Sequence, residues 1–248
     1  MLVEAGLAVQ FVFGLTILVR AIQKGSISRY PLFYSYLIYY LAAGAVDECI
    51  YVWAPAHYPT FFWIKFLTLV MAEFALLLEI GDHLFAQYPA LRQLARMMTV
   101  GIALVFCLAY ILPPLLERRP SEVAIFDLVK RSALTKGVIF LGLGVTARHF
   151  RIGVGRSIMG IAAGLICFLG INMANFALAQ SLGRIQYGAV FSAVGIFSHT
   201  LMLLVWAVSL WRIDPALATG SPNPPLSGGP LMSELGKYNR ELDRLLRR

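Results

Sequence analysis

Charged residues are scarce in this chain. They make up 14% of its 248 residues, where soluble domains carry about 25%, and the deficit excludes an ordinary soluble domain. Cysteine is scarcer still, with Cys49, Cys107 and Cys167 as the whole set. An odd count within apolar stretches excludes a disulfide framework and matches no zinc spacing. Each cysteine reads as a small hydrophobe. The four histidines never form the His-x-x-x-His or His-Glu-x-x-His pattern of a helical metal site. No phosphate loop or nucleophile triad occurs, and Gly81-Asp82 lacks the second glycine of an intramembrane aspartyl protease motif. No metal site and no catalytic residue is expected, and an enzyme is not the favoured reading.

What fills the chain is apolar: 59% of residues are hydrophobic. They cluster in seven stretches, Gly6–Ile22, Pro31–Trp53, Phe61–Ile80, Leu94–Leu112, Ala124–Ala147, Ile158–Leu178 and Gly188–Trp211. A helix of about 20 apolar residues covers the roughly 30 Å hydrocarbon core. The expected fold is therefore all-α, a polytopic membrane protein of seven transmembrane helices in residues 1–213. Pro31, Pro55, Pro59, Pro89, Pro113, Pro114 and Pro120 mark connections, because proline disfavours helix in the residue before it.

Lysine and arginine predict the orientation. With the N-terminus outside, Arg20, Lys24, Arg29, Arg92, Arg96, Arg148, Arg151, Arg156, Arg212 and five cations of the tail fall on the cytoplasmic side. Only Arg118, Arg119 and Arg184 fall outside. Positive loops stay inside, so the C-terminus is expected in the cytoplasm. The first span follows Glu4 and no basic residue, and reads as a retained helix rather than a secretory signal. The net charge of +8 then reflects cytoplasmic loops and anionic lipid, with no nucleic acid among the expected partners. The lipid bilayer is the expected localisation, as the inner (cytoplasmic) membrane of a bacterium.

Beyond the spans, residues 214–230 are rich in Pro, Gly and Ser and predict a flexible linker. Residues 231–248 regain periodicity. Leu231, Leu235, Tyr238, Leu242 and Leu245 fall on one helical stripe. This predicts a basic amphipathic helix at the inner leaflet, with a protein partner or a second copy as alternative contacts. The oligomeric state is left open.

Ionisable and amide groups inside spans are the site candidates, since burying a charge at a helix centre costs at least about 2.5–3.5 kcal/mol. Asp47 and Glu48 on helix two and Lys65 on helix three flank one short turn and predict an ion pair. Glu73 lies about 18 Å along helix three, at 1.5 Å per residue. Lys136 on helix five either snorkels to the interface or meets Glu73. Asn172 and Asn175 share a face of helix six, and His199 sits mid-way on helix seven. All eight fall in the middle or outer half of their spans, and an outward-opening polar cavity would gather them. The competing reading is structural: Asn172, Asn175 and His199 hydrogen-bond between helices, at about 0.6 kcal/mol each, Glu73 bonds a neighbouring helix, and Asp47, Glu48 and Lys65 pin the hairpin. Glu79, Asp82 and His83 read as a solvated cluster at the inner headgroups. Gly160, Ala163 and Gly164, with Gly142 and Gly144, predict close helix contacts. No cofactor is expected. Retinal would need a lysine on helix seven, and that helix has none.

The segment Glu79-Ile80-Gly81-Asp82-His83-Leu84-Phe85, followed by Tyr88-Pro89-Ala90-Leu91-Arg92, resembles the third-helix end of a group of uncharacterised bacterial seven-helix integral membrane proteins. The span pattern resembles theirs throughout. More loosely, the layout is similar to the membrane modules of bacterial sensor kinases and cyclases, although no kinase or cyclase domain follows Trp211. The resemblance carries over no function; the expected outward polar cavity and tail helix favour a sensory or interaction module that binds a small molecule and passes a conformational change to a partner. The alternatives are a transporter or channel using the midplane carboxylate of Glu73, and a structural subunit of a membrane complex.

Overall fold

The computed structural model describes residues 2–112, 122–182, 184–211 and 238. The described residues form seven α-helices: α1 (Leu2–Gln23), α2 (Pro31–Trp53), α3 (Tyr58–Leu84), α4 (Pro89–Phe106), α5 (Glu122–His149), α6 (Arg156–Leu182) and α7 (Arg184–Trp211). A 3-10 turn, Pro55–His57, joins α2 to α3, and α4 runs into a π-helical turn, Cys107–Ile111. The expected linker at 214–230 and the tail helix at 231–248 lie outside the described residues, Tyr238 apart.

Five helical segments are long and apolar enough to cross a membrane: Ala5–Gln23, Pro55–Leu84, Pro89–Ile111, Arg156–Leu182 and Val190–Trp211. The remaining two helices are long enough, at 23 and 28 residues, but less apolar. Helix α2 carries five tyrosines with Asp47 and Glu48; α5 carries Lys130, Arg131 and Lys136. Much of that polarity turns inward, since Tyr34, Tyr36 and Lys136 are buried. The outer faces are apolar: Leu134, Val138, Leu141 and Val145 are exposed on α5 at steps of four, three and four. That spacing is one stripe of a helix.

Proline opens α2, α3 and α4 within the first turn, where its missing N–H costs nothing. Helix α1 ends on a left-handed glycine, Gly25, at φ 62°. The Ser26 N–H reaches the Ala21 carbonyl and the Gly25 N–H the Ile22 carbonyl, the paired bonds of a Schellman end. Helix α5 ends the same way, with Ile152 bonding Ala147 and Arg151 bonding Arg148, but Arg151 holds the left-handed position at φ 51°.

Helix α3 occupies the middle of the bundle, touching α2, α4, α5 and α6, while α7 packs between α1 and α6. The α6–α7 seam is the most intimate. A Cβ at Gly160 would collide with Ser209, and one at Gly164 with the Trp206 indole. Trp206 is fully buried, donates its Nε1–H to the Ile161 carbonyl (3.0 Å), and meets Phe33 edge-on at 4.9 Å. By contrast, Gly142 and Gly144 face no neighbouring atom within 4 Å, and Ala163 is exposed. The expected glycine contacts therefore exist on α6 and not on α5, because a run of small residues does not say which face meets a neighbour.

The cluster at the end of α3 is not solvated as expected. Glu79 is buried and crosses to the start of α2. Its two carboxylate oxygens accept the N–H groups of Leu32 (3.0 Å) and Phe33 (2.7 Å). Tyr30, the residue before α2, makes no side-chain cap, so a neighbouring helix supplies the acceptor that the first turn needs. His83 bonds the Arg29 carbonyl through Nε2 (3.0 Å), and Asp82 pairs with Arg92 (3.0 Å). At the same end, Lys24 donates to the Trp211 carbonyl (2.7 Å) and Arg20 lies over the Trp211 ring. Both cations sit where the α7 dipole is negative.

Candidate functional site

The opposite end of the bundle holds a cavity of about 450 Å³. Six helices line it, all but α4. Asp47, Glu48, Lys65, Glu73, Lys136, Asn172, Asn175 and His199, contributed by five helices, all face this one space. Six phenylalanine rings, Phe11, Phe62, Phe66, Phe168, Phe176 and Phe191, share its apolar wall with aliphatic side chains.

Two ion pairs stand along α3. Lys65 pairs with Asp47 of α2 at 2.5 Å, both side chains partly exposed near the mouth. Eight residues on, about 12 Å deeper at 1.5 Å per residue, Glu73 pairs with Lys136 of α5. Lys136 is 3% exposed and Glu73 8%, so of the two routes open to Lys136 the structure takes the pairing. The polarity of the pairs is reversed: α3 contributes the ammonium at the mouth and the carboxylate inside. Glu48 does not join either pair. It is exposed at the rim, because it lies one position, about 100° of helix, from Asp47. Lys65 also stands 5.4 Å from the Phe62 ring centroid, and Lys136 lies near Phe74.

The asparagines lie in the wall and brace it. Asn172 donates Nδ2–H to Phe168 O (2.9 Å) and to Ser198 Oγ (3.1 Å), and Asn175 donates to Phe191 O (3.0 Å). Both tie α6 to α7, as the interhelical reading expects. His199 is held between two rings, stacked on Tyr40 at 5.5 Å and edge-on to Phe168 at 4.4 Å. Its Nδ1–H donates to the Gly195 carbonyl (3.0 Å).

Three further residues belong to the wall. The Tyr40 hydroxyl donates to Gln10 Oε1 (2.6 Å), and Gln10 Nε2–H donates to Ile196 O (3.0 Å) and Thr200 Oγ1 (3.4 Å). This chain links α1, α2 and α7. Ser132, one turn from Lys136 on α5, is buried, and its Oγ has no hydrogen-bond partner among the described residues. The same is true of Asp47 Oδ1. Gln10 was detectable as the one amide of the first span. Tyr40 and Ser132 carry no signal that sets them apart from other tyrosines and serines.

Chemically, the cavity offers a mostly apolar, aromatic interior with fixed charges at two depths. That is the make-up of a small-molecule site, an apolar container with a few placed polar groups. Among the described residues no group of three or more metal-ligating side chains occurs. Two cations nearer the start of α5 lie outside the cavity lining: Lys130 donates to Gln180 (3.1 Å) and Arg131 lies over Tyr110. The Asp127 side chain lies outside the described residues. Comparison with protein-family models, with curated proteins and with solved structures finds no match to this chain.

Proposed function

We infer that this protein is a seven-helix membrane module that binds a small molecule in the α2–α3–α5–α6–α7 cavity and reports its occupancy to a partner. The observation that carries this reading is the convergence of eight polar residues from five helices on one aromatic-walled space. All seven helices cross the bilayer in this reading. The exposed apolar stripe of α5 supports its membrane placement despite its charges.

The N-terminus lies outside and the C-terminus in the cytoplasm. Support comes from Arg20, Lys24, Arg29, Arg92, Arg148, Arg151 and Arg156, which gather at the end opposite the cavity. The cavity then opens outward, and the tail helix at 231–248 is the element through which a cytoplasmic partner is engaged. A bacterial inner membrane is the setting that the resemblance implies.

Thiol accessibility tests the reading. In a chain with Cys49, Cys107 and Cys167 replaced by serine, Ser192→Cys at the rim and Ser132→Cys inside should react with a membrane-impermeant methanethiosulfonate added to intact cells, the inner position more slowly. Reaction only from the cytoplasmic face, or at neither position, overturns the outward-opening cavity. Sustained flux of a bound compound across proteoliposomes would replace the sensory reading with a transporter.

A further inference from the structure

The charges and unpartnered atoms of the cavity define the kind of molecule it suits. Three carboxylates line it, Asp47, Glu48 and Glu73, against two ammonium groups, Lys65 and Lys136. Each ammonium is already held by a carboxylate. Carboxylates outnumber ammonium groups in the lining by three to two, and the carboxylate that neither lysine holds is Glu48, exposed at the mouth. An anion entering there meets Glu48 first and finds both lysines engaged.

The hydrogen-bonding inventory points the same way. After accepting from Lys65, Asp47 keeps a second oxygen, Oδ1, that is buried and without a partner among the described residues. A buried carboxylate oxygen can only accept, so its missing partner is a donor. Ser132, 1% exposed, adds a hydroxyl inside the same cavity with no partner of its own. A buried polar atom left unmatched is costly, and a ligand N–H removes that cost.

The walls complete the description. Aromatic faces carry negative quadrupole charge and attract cations within about 6 Å. Lys65 already rests near Phe62 in this way, with Phe66 one turn deeper. A volume of about 450 Å³ lies in the range of drug-sized sites, about 300–1,000 Å³.

We propose that the cavity takes an amphiphilic organic monocation, a protonated amine with an aromatic or alicyclic body. Its ammonium lies between Asp47 and Glu48, and its apolar body reaches inward between Phe66 and Phe168. This rests on reading the cavity as a small-molecule site.

Three probes of one shape test it: 4-phenylbutylammonium, 4-phenylbutan-1-ol and 4-phenylbutanoate. Binding is measured by equilibrium dialysis at neutral pH on the full chain in phosphatidylcholine nanodiscs, with partition into empty discs subtracted. The ammonium should bind saturably at one per chain and at least about tenfold more tightly than the alcohol, since a charge pair in a partly dry site exceeds that factor. The carboxylate should bind weakest. Glu48→Gln, on an exposed rim residue, should weaken the ammonium severalfold and leave the alcohol unchanged. Equal affinities, or a preference for the alcohol or the carboxylate, overturn the cation assignment and leave the small-molecule reading standing. A Glu48→Gln variant that weakens ammonium and alcohol alike also overturns it. Saturable binding of none of the three overturns the cation class, while the thiol-accessibility result separately decides the cavity itself.

Discussion

Glu73 on α3 and Lys136 on α5 are 63 positions apart in sequence and form a buried ion pair, Lys136 Nζ donating to Glu73 Oε2. Removing one partner of such a pair strands the other charge, at a cost of about 3–5 kcal/mol, whereas removing both is far milder. Lys136→Met and Glu73→Gln should each lower the thermal midpoint in detergent sharply, and the double variant should recover most of the loss. Single and double variants with the same midpoint would refute the pairing.

The pair at the mouth should matter less. Lys65 and Asp47 are partly exposed, and pairs near solvent contribute about 0–1 kcal/mol. Lys65→Met should therefore destabilise much less than Lys136→Met. Adding Asp47→Asn and Glu48→Gln to Lys65→Met should restore whatever is lost. A larger effect at Lys65 than at Lys136 would reverse the depth order.

Glu79 should act as a cap although it lies 46 residues from the second amide it binds. Loss of a side-chain cap costs about 0.5–2 kcal/mol, and a charged acceptor serving two amides belongs at the upper end. Glu79→Ala should lower the midpoint and speed hydrogen exchange at Leu32 and Phe33, with Glu79→Gln in between. Unchanged exchange at those amides would exclude the capping role.

Arg151 sits at φ 51°, where a side chain costs roughly 1–2 kcal/mol that glycine avoids. Arg151→Gly should raise stability by about 1 kcal/mol, offset in part by the greater freedom of glycine in the unfolded chain. A fall in the midpoint would mean that the guanidinium holds the α5–α6 turn.

Gly164 lies against Trp206, which is fully buried and hydrogen-bonded and has no room to yield. Gly164→Ala should cost about 1–3 kcal/mol as an overpacked contact. Gly142→Ala, with open space beside it, should be neutral or slightly stabilising, since alanine favours helix over glycine. The pair of midpoints checks both.

Much of this was legible before any coordinates because of contrast. Pro31, Pro59 and Pro89 announce helix starts by a local rule. A charge such as Glu73 or Lys136 stands out against an apolar run, so the eight cavity residues could be named from the sequence. Residues whose role depends on a distant backbone could not. Glu79 looks like a headgroup carboxylate until the first turn of α2 is seen beside it. Tyr40 and Ser132 are neutral polar groups whose significance is positional. Glycine spacing on α5 and α6 looks alike, and only the neighbouring helix tells the two apart.

The reversed polarity of the two pairs along α3 bears on how the chain is made. Lys65 can meet Asp47 as soon as α3 follows α2 out of the ribosome, since a short turn joins them. Glu73 has no such neighbour when α3 emerges; its ammonium arrives only with α5, after α4 has been synthesised. Helix α5, less apolar than the five span-capable segments, carries the counterion of a residue synthesised 63 positions earlier. The acid is thus synthesised before the base, and the deep pair cannot close until α5 has been made.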